Sequence, residues 1–373
     1  MDWVRRRFAG NLQGDLFGGV TAGIVALPLA LGFGVASGLE NGAAAGLYGA
    51  IAVGLLAALF GGTPSQISGP TGPMTVVVAG IVGSLTGDVV WIFAMVALSG
   101  LFQVVLGILR LGRYIHYVPY PVISGFMSGI GAIVIILQLA QLVGHDPASG
   151  TVAALRSIPS DFQNINPSAL IFGLCTIAII YIVPRFTKRV PSTLVALVVM
   201  TAGSVMFSVD LPRIGEIPRG LPTPTIPSWD FEKFQLILIP AAMLAVVGSI
   251  DSLLTSLVAD SVTKTRHDSE RELMGQGIGN IVAGLIGGLP GAGATMRTVV
   301  NVRSGGKTHL SGVVHAVLLL AILLALGPLA SLIPMAVLAG ILITVGIGIV
   351  DTKGLSHIRR APRGDAAVMV AVF

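Results

Sequence analysis

The sequence predicts an all-α protein that crosses a membrane many times. Of its 373 residues, 54% are hydrophobic and only 10% are charged, and the mean hydropathy is +0.89. Soluble domains carry about 25% charged residues, so a water-soluble globular domain is excluded. Uncharged runs of roughly 18 or more residues recur along the chain, and each is long enough to cross a bilayer as a helix. Two polar interruptions that resemble each other add an internal repeat to this prediction.

Each predicted span is an apolar run bounded by charged residues, Gly or Pro. The long spans cover residues 16–37, 43–60, 89–109, 118–142, 168–183, 192–209, 234–259, 273–289, 310–332 and 335–350, and residues 366–373 begin another. Short helices are expected after Pro73, which suits the first turn of a helix, and after Gly293. With these two as spans 3 and 10, the sequence predicts twelve spans and a fragment.

The distribution of basic residues predicts the orientation of the chain. Most of the 22 Lys and Arg residues fall on the cytoplasmic side if the N-terminus is cytoplasmic. This asymmetry follows the positive-inside rule and predicts a multi-pass protein with a cytoplasmic N-terminus. We expect the membrane to be the cell's inner (plasma) membrane. The formal charge of +5 then belongs to the loops and does not indicate a nucleic-acid partner. Cys175 is the only cysteine, which excludes an intrachain disulfide and a cysteine metal cluster.

An internal repeat connects the two halves of the chain. The interruptions are residues 65–75 (SQISGPTGPMT) and 287–298 (GGLPGAGATMRT), and their alignment matches Gly69 with Gly291. Farther along, Gly131 in span 5 matches Gly346 in span 12. The first copy has seven spans, and because seven is odd, the second copy is expected to be inverted in the membrane. The second copy starts at Phe234 and is expected to lack its last one or two helices.

The paired interruptions predict a binding site, because corresponding breaks in the two halves of a transporter flank its substrate. Gly and Pro end the helices, so part of each crossing is extended backbone, and a short helix follows each break. In an inverted repeat the N-termini of these short helices face each other near the midplane. Each N-terminus carries about half a positive charge and free N–H groups. Together they predict a site for a small anion.

Three ionisable side chains inside the spans are further candidates. Arg297, about one turn into the second short helix, either strengthens the positive field or is a snorkelling or ion-paired arginine. Asp251 lies deep in span 8 and shares a helix face with Thr255. Their oxygens predict a sodium site, while a proton-carrying carboxylate and an ion pair with Arg297 are the alternatives. His315 is either a proton relay or, more simply, a buried hydrogen-bonded histidine.

The sequence does not favour an enzyme. A hydrolase within the membrane would need a nucleophile with a base or a metal cluster, and neither an H-E-x-x-H motif nor a His/Asp cluster is present. An uncoupled anion channel would use the same helix ends as a carrier. A secondary active transporter is the function that the interruptions and the charges favour together.

Four segments resemble the SulP/SLC26 family of anion transporters. They are GDLFGGVTAGIVALPLALGFGVASG in span 1, ISGPTGPMT before span 3, PYPVISGFMSGIG in span 5 and LPGAGATMRTVVNV at span 10. The similarity covers essentially the whole chain and is greatest to the sodium-dependent bicarbonate transporters of that family. The resemblance implies a 7+7 inverted-repeat fold of the SLC26/UraA-like type, elevator-like movement, and a homodimer of the full-length protein.

The resemblance also implies a division into a core domain and a gate domain. The core domain would comprise residues 1–115 (spans 1–4) and 234–332 (spans 8–11). The gate domain would comprise residues 116–209 (spans 5–7) and 333–373 (span 12 and the start of span 13). Residues 210–233 would form an extracellular linker. The last gate helices and the STAS domain that usually follows them are expected to be absent.

The same resemblance implies which residues bind the ions. By position, the anion would be bound by Thr71, Gly72 and Ala294, to which the charge argument adds Arg297. Sodium would be bound by Asp251, Thr255, Gly293 and Thr295. The expected function is import of bicarbonate with sodium as the coupling ion. The alternative is a transporter of sulfate or another small anion in the same family, driven by protons.

Overall fold

The computed structural model describes residues 10–373 except 86–87, 118, 147–150, 188–189, 216–223, 225–227, 229, 353 and 355–362. The helices in these residues are α1 (Leu12–Ala36), α2 (Gly42–Phe60), α3 (Gly72–Val82), α4 (Val89–Ile108), α5 (Tyr120–Leu142), α6 (Thr151–Asp161), α7 (Pro167–Phe186), α8 (Ser192–Met206), α9 (Phe231–Thr263), α10 (Ser269–Leu285), α11 (Thr295–Arg303), α12 (His309–Ala330), α13 (Met335–Ile349) and α14 (Arg363–Val372). Two strands, β1 (Ser68–Pro70) and β2 (Gly291–Gly293), precede α3 and α11.

The predicted all-helical architecture is confirmed. Every predicted span overlaps one of these helices, and the ends differ by a few residues. Among the described helices, α1, α2, α4, α5, α7 and α9 are long and apolar enough to cross a membrane. Helices α3, α8 and α13 are apolar but shorter. For α3 this agrees with the short helix that was predicted after Pro73.

Helix α6 lies between the predicted spans 5 and 6, where no helix was predicted. It has 11 residues and includes Arg156 and Asp161, so it is too short and too polar to resemble a span. Ala154 is its buried residue, whereas Val152 and Leu155 are exposed. A hydropathy window suited to whole membrane crossings overlooks such a short amphipathic helix.

The chain forms two compact units. The first unit comprises Met1–Arg113 and Ile214–Ile333, and the second comprises Tyr114–Arg213 and Pro334–Phe373. Each unit therefore combines one segment from the first half of the chain with one from the second half. Local capping begins several helices: Asn166 accepts hydrogen bonds from two backbone N–H groups at the start of α7, and Asp230 does the same for α9.

Glycine contacts bring helix backbones together in the first unit. A Cβ on Gly100 of α4 would lie 2.5 Å from the Gly277 carbonyl oxygen, and a Cβ on Gly277 of α10 would lie 2.6 Å from the Gly100 oxygen. The two backbones are therefore in direct contact. Within a membrane, such close approach supplies the van der Waals contact that drives helix association.

The strands β1 and β2 form a two-stranded antiparallel sheet in the first unit. Ser68 pairs with Gly293, and Pro70 pairs with Gly291. This pairing joins the two interruptions that the repeat aligned. Antiparallel strands agree with the predicted inversion, since an upside-down second copy runs its interruption in the opposite direction.

The second unit is built around α5, α7 and α13. Gly131 of α5 and Gly346 of α13, which the repeat matched with each other, are in contact: a Cβ on Gly131 would lie 2.7 Å from the Gly346 oxygen. At one end of this pair, Asp351 accepts hydrogen bonds from the hydroxyls of Tyr120 and Ser124. These bonds tie the segment after α13 to the start of α5.

The contact between α4 and α10 predicts the effect of a single methyl group. Gly277→Ala should lower the free energy of unfolding by about 1–3 kcal/mol, because the added Cβ overpacks a backbone contact. Gly203→Ala on α8 is the matched control, since nothing lies within 4 Å of its Cβ position. Thermal unfolding of the purified protein in detergent measures both. Equal melting temperatures for the two variants would contradict the packing described for α10.

Candidate functional site

The candidate site is centred on the β1–β2 pair and the two helices that follow it. Thr71 is the N-cap residue of α3 and Ala294 is that of α11, and no side chain caps either helix. Because the strands are antiparallel, the starts of α3 and α11 lie at opposite ends of the pair. Both helix N-termini therefore lie next to the same short stretch of extended backbone, the β1–β2 pair.

The Arg297 side chain connects these two helix starts. It is 1% exposed, and its Nη2 donates a hydrogen bond of 2.5 Å to the carbonyl oxygen of Pro70, the residue before Thr71. Arg297 thus brings its positive charge from α11 to the start of α3. The alternative of a snorkelling surface arginine is wrong, because the side chain is buried.

Arg297 retains unused hydrogen-bonding capacity. Its Nε and Nη1 have no partner among the described residues. In that part of the chain Arg297 makes no direct salt bridge with Asp251, although the two opposite charges interact at longer range. A buried, unpaired guanidinium is costly in a low-dielectric interior. An anion bound beside it would remove that cost.

The predicted anion-binding residues lie around this guanidinium. Thr71 is buried, and its Oγ1 makes no hydrogen bond to any described residue. Gly72 begins α3, directly after Thr71. Ala294 donates its N–H to the Ile67 oxygen at 2.9 Å, which fixes the start of α11 beside β1. Gly69 lacks a Cβ for a steric reason, since a Cβ there would lie 2.8 Å from Arg297 Nη1.

The predicted cation-binding residues are also brought together. The Thr255 hydroxyl donates to the Gly293 carbonyl oxygen at 2.9 Å and lies 2.7 Å from the Thr295 hydroxyl. Asp251 is on the same face of α9, one turn before Thr255, and is 7% exposed. The Asp251 carboxylate faces the Thr71 hydroxyl, yet Asp251 Oδ2 makes no hydrogen bond within the described residues.

The chemistry of this second set suits a small hard cation. It offers a carboxylate, two hydroxyls and a backbone carbonyl, which are all oxygen ligands. The described residues contain no group of three or more His, Cys, Asp or Glu side chains that would hold a transition metal. A cation would bind to Asp251 Oδ2, the buried carboxylate oxygen that has no hydrogen-bond partner among the described residues.

Several residues that support β2 were missed by sequence reasoning. The Asn280 side chain accepts from the Gly291 N–H at 2.8 Å and donates to the Gly291 oxygen at 2.9 Å, as a neighbouring strand would. Ser252 Oγ accepts from the Gly293 N–H at 3.0 Å. The two amide side chains in the otherwise apolar run of α10, Gln276 and Asn280, were the available signal.

His315 is buried, as expected, but its ring makes no hydrogen bond to the part of the chain that the structure describes. Neither ring nitrogen has a partner among the described residues. The ring lies beside Gly54 of α2, where a Cβ would be 3.1 Å from His315 Nδ1. The glycine makes room for an imidazole near Arg297, with which His315 interacts electrostatically.

Comparison with known proteins identifies the family. The profile of the Sulfate permease family matches residues 12–372. Two proteins named bicarbonate transporter BicA are similar: the one from Picosynechococcus sp. is 48% identical and the one from Synechocystis sp. is 50% identical, each over 97% of this chain. A putative sulfate transporter of Bacillus subtilis, YvdB, is 33% identical over 98% of the chain. The chain spans 66% of the length of each BicA relative and 72% of YvdB.

Solved structures agree on the fold. The transmembrane domain of a cyanobacterium bicarbonate transporter BicA superposes with a TM-score of 0.91 at 49% identity, and the match covers 97% of this chain and 94% of that domain. SLC26A9 shares the fold at 22% identity, with a TM-score of 0.87 over 96% of this chain and 61% of that protein. The BicA relatives are named transporters, and the matched family is one of permeases, which confirms the expectation of a transporter family rather than an enzyme. The chain therefore belongs to the Sulfate permease family of multi-pass membrane transporters.

Proposed function

We propose that this chain forms the membrane part of a secondary active transporter that imports bicarbonate together with sodium. The single observation that carries the anion site is Arg297, which is buried and bonded to Pro70 just before α3, while its Nε and Nη1 find no partner among the residues that the structure describes. The choice of bicarbonate rests on the two BicA relatives, at 48% and 50% identity.

Four residues would recognise the anion. The Thr71 hydroxyl and the Arg297 guanidinium would donate side-chain hydrogen bonds, and the backbone at Gly72 and Ala294 would present the N-termini of α3 and α11. Hydrogen bonds from a charged donor to an anion are about twice as strong as neutral ones. The two helix dipoles add positive potential from both ends of the β1–β2 pair.

Sodium would be held beside the anion by Asp251, Thr255, Gly293 and Thr295. Gly293 and Thr295 flank Ala294 in the chain, so the cation and anion ligands alternate along three consecutive residues. When one ion binds and fixes the backbone of residues 293–295, it therefore also fixes the ligands of the other ion. Such coupling is reciprocal: each ion raises the affinity for the other by the same factor.

All eight proposed ligands belong to the first unit. This arrangement supports elevator-like transport, in which the first unit would act as the core domain and carry both ions. The second unit would act as the gate domain, and the linker would lie at residues 210–233. We further propose that the N-terminus is cytoplasmic, that the membrane is the inner (plasma) membrane, and that the full-length protein is a homodimer.

Transport of sulfate is the second candidate function, and its coupling ion would be the proton. The family description and the similarity to YvdB favour it. The same helix N-termini would attract sulfate, and Asp251 would then carry the proton. The two candidate functions differ in the anion that is carried: sulfate is larger than bicarbonate and has two negative charges instead of one.

Uptake measurements decide between these functions. Cells that express the protein should accumulate labelled bicarbonate faster with sodium than with an equal concentration of potassium. Excess unlabelled sulfate should leave this uptake unchanged. Uptake that ignores sodium would refute the symport, and uptake of labelled sulfate at an equal or higher rate would establish the second candidate.

The sodium site is tested by removing one hydroxyl. Thr255→Val keeps the side-chain volume but removes a proposed ligand, so the sodium concentration for half-maximal uptake should rise roughly tenfold. Thr176→Val is the matched control, because Thr176 is also fully buried and its hydroxyl donates to the carbonyl of Phe172, one turn earlier on α7. A sodium requirement unchanged in Thr255→Val would exclude Thr255 as a ligand.

Removing the Arg297 charge tests the anion site. Arg297→Gln should raise the KM for bicarbonate by about tenfold or more, since a charge-assisted contact is lost. Arg303→Gln, on the same helix but exposed, should leave KM near that of the wild type. Initial uptake rates over a range of bicarbonate concentrations give both values. An equal KM in the two variants would mean that Arg297 does not bind the anion.

A further inference from the structure

A buried carboxylate outside the proposed ligands is held by an unusually complete set of donors. Glu272 of α10 is 2% exposed. Its Oε2 accepts from the N–H groups of Gly62 and Thr63, both at 2.9 Å. Its Oε1 accepts from the side-chain amides of Gln66 and Gln276, both at 2.8 Å. Four donors converge on one carboxylate, which is the pattern expected for its ionised form.

Gln66 connects this carboxylate to the proposed cation site. Its amide nitrogen donates to Glu272, and its amide oxygen accepts from the Ser256 hydroxyl at 2.9 Å. The same amide packs against Gly293, where a Cβ would collide with Gln66 Nε2. Gly293 provides the proposed carbonyl ligand for sodium. The position of its backbone is therefore limited by an amide that Glu272 holds.

Gln276 makes a second, independent connection. Its amide nitrogen lies 2.8 Å from Glu272 and 2.6 Å from the Ser68 hydroxyl. Ser68 is the strand partner of Gly293 in the β1–β2 pair. Glu272 thus acts on Gly293 from two directions, through the packed Gln66 amide and through the paired strand.

We propose that Glu272 is a positioning residue that holds the Gly293 carbonyl in place for the coupling cation and thereby sets the affinity for sodium. This inference rests on the proposed sodium symport. Residues that orient a metal ligand without touching the metal commonly change metal affinity by about 10–100-fold when mutated. The bonds that place Thr71 and Arg297 do not pass through Glu272, so the affinity for the anion should change less.

Glu272→Gln is the informative substitution, because it keeps size and shape. A glutamine has one acceptor oxygen where the carboxylate has two, so its amide group faces donors that it cannot satisfy. Either the Gln66 amide or the N–H groups of residues 62–63 lose their acceptor, which loosens the support of Gly293. We expect the sodium concentration for half-maximal uptake to rise about tenfold or more, with a smaller change in the KM for bicarbonate.

Asp15→Asn is the matched control. Asp15 is another fully buried carboxylate of the first unit, and it accepts from Lys307 N–H, Thr308 N–H and the Thr308 hydroxyl. These bonds hold residues 307–308, just before α12, and none of them involves Gly293. Asp15→Asn should lower the melting temperature as Glu272→Gln does, yet leave the sodium requirement unchanged. Uptake kinetics and sodium-dependent melting of the purified protein are measured for both variants.

A second variant covers the case in which Glu272→Gln folds poorly. Gln66→Met keeps the side-chain length but removes the amide, and it should raise the sodium requirement in the same direction. A sodium-responsive wild type whose Gln66→Met and Glu272→Gln variants match Asp15→Asn would overturn this inference alone. A wild type that does not respond to sodium would overturn the proposed symport and this inference together.

Discussion

The pairing of β1 with β2 is the interaction on which the rest of the first unit depends. Lipid offers no hydrogen bonds, so extended backbone at membrane depth must be satisfied within the protein. Three residues from each half of the chain pair with one another, and the Asn280 amide and the Ser252 hydroxyl satisfy further groups of β2. Helix α3 therefore begins inside the protein, whereas α11 begins beside it with Thr295 half-buried and Met296 exposed. Their N-termini become a source of positive potential next to the strand pair.

Arg297 adds a full positive charge to these two helix N-termini. Its bond to Pro70 places a full charge next to the start of α3, and no described carboxylate neutralises it by a salt bridge. The absence of a Cβ at Gly69 is what allows the guanidinium to come this close to β1. The Arg297 charge, the two helix N-termini and the small Gly69 thus act at one place. Because a buried cation without a counter-charge costs free energy, an anion bound there would be stabilised.

Support for this centre extends well beyond the residues that would touch an ion. The Thr255 hydroxyl, the Gln66 amide and the Ser68 backbone all act on Gly293 or its neighbours. Their own positions depend on α9 and α10, which carry Ser256, Glu272 and Gln276. A short glycine-rich strand has little conformational preference of its own. A dense polar network around it supplies the rigidity that an ion site requires.

The sequence alone was sufficient for the helical membrane class, for the span positions and for the two interruptions, because hydropathy and Gly/Pro placement are read along the chain. Through the repeat and a family resemblance, it also identified Thr71, Ala294 and Thr255 as candidate ion ligands. Helix α6 was missed, because a short polar helix has no membrane-length signal. Only the tertiary structure decided that Arg297 bonds to Pro70, that Asp251 and Arg297 form no salt bridge, and that Glu272 gathers Gly62, Thr63 and Gln66. These contacts join residues more than 200 positions apart, and such distances depend on how helices pack, which no local pattern encodes.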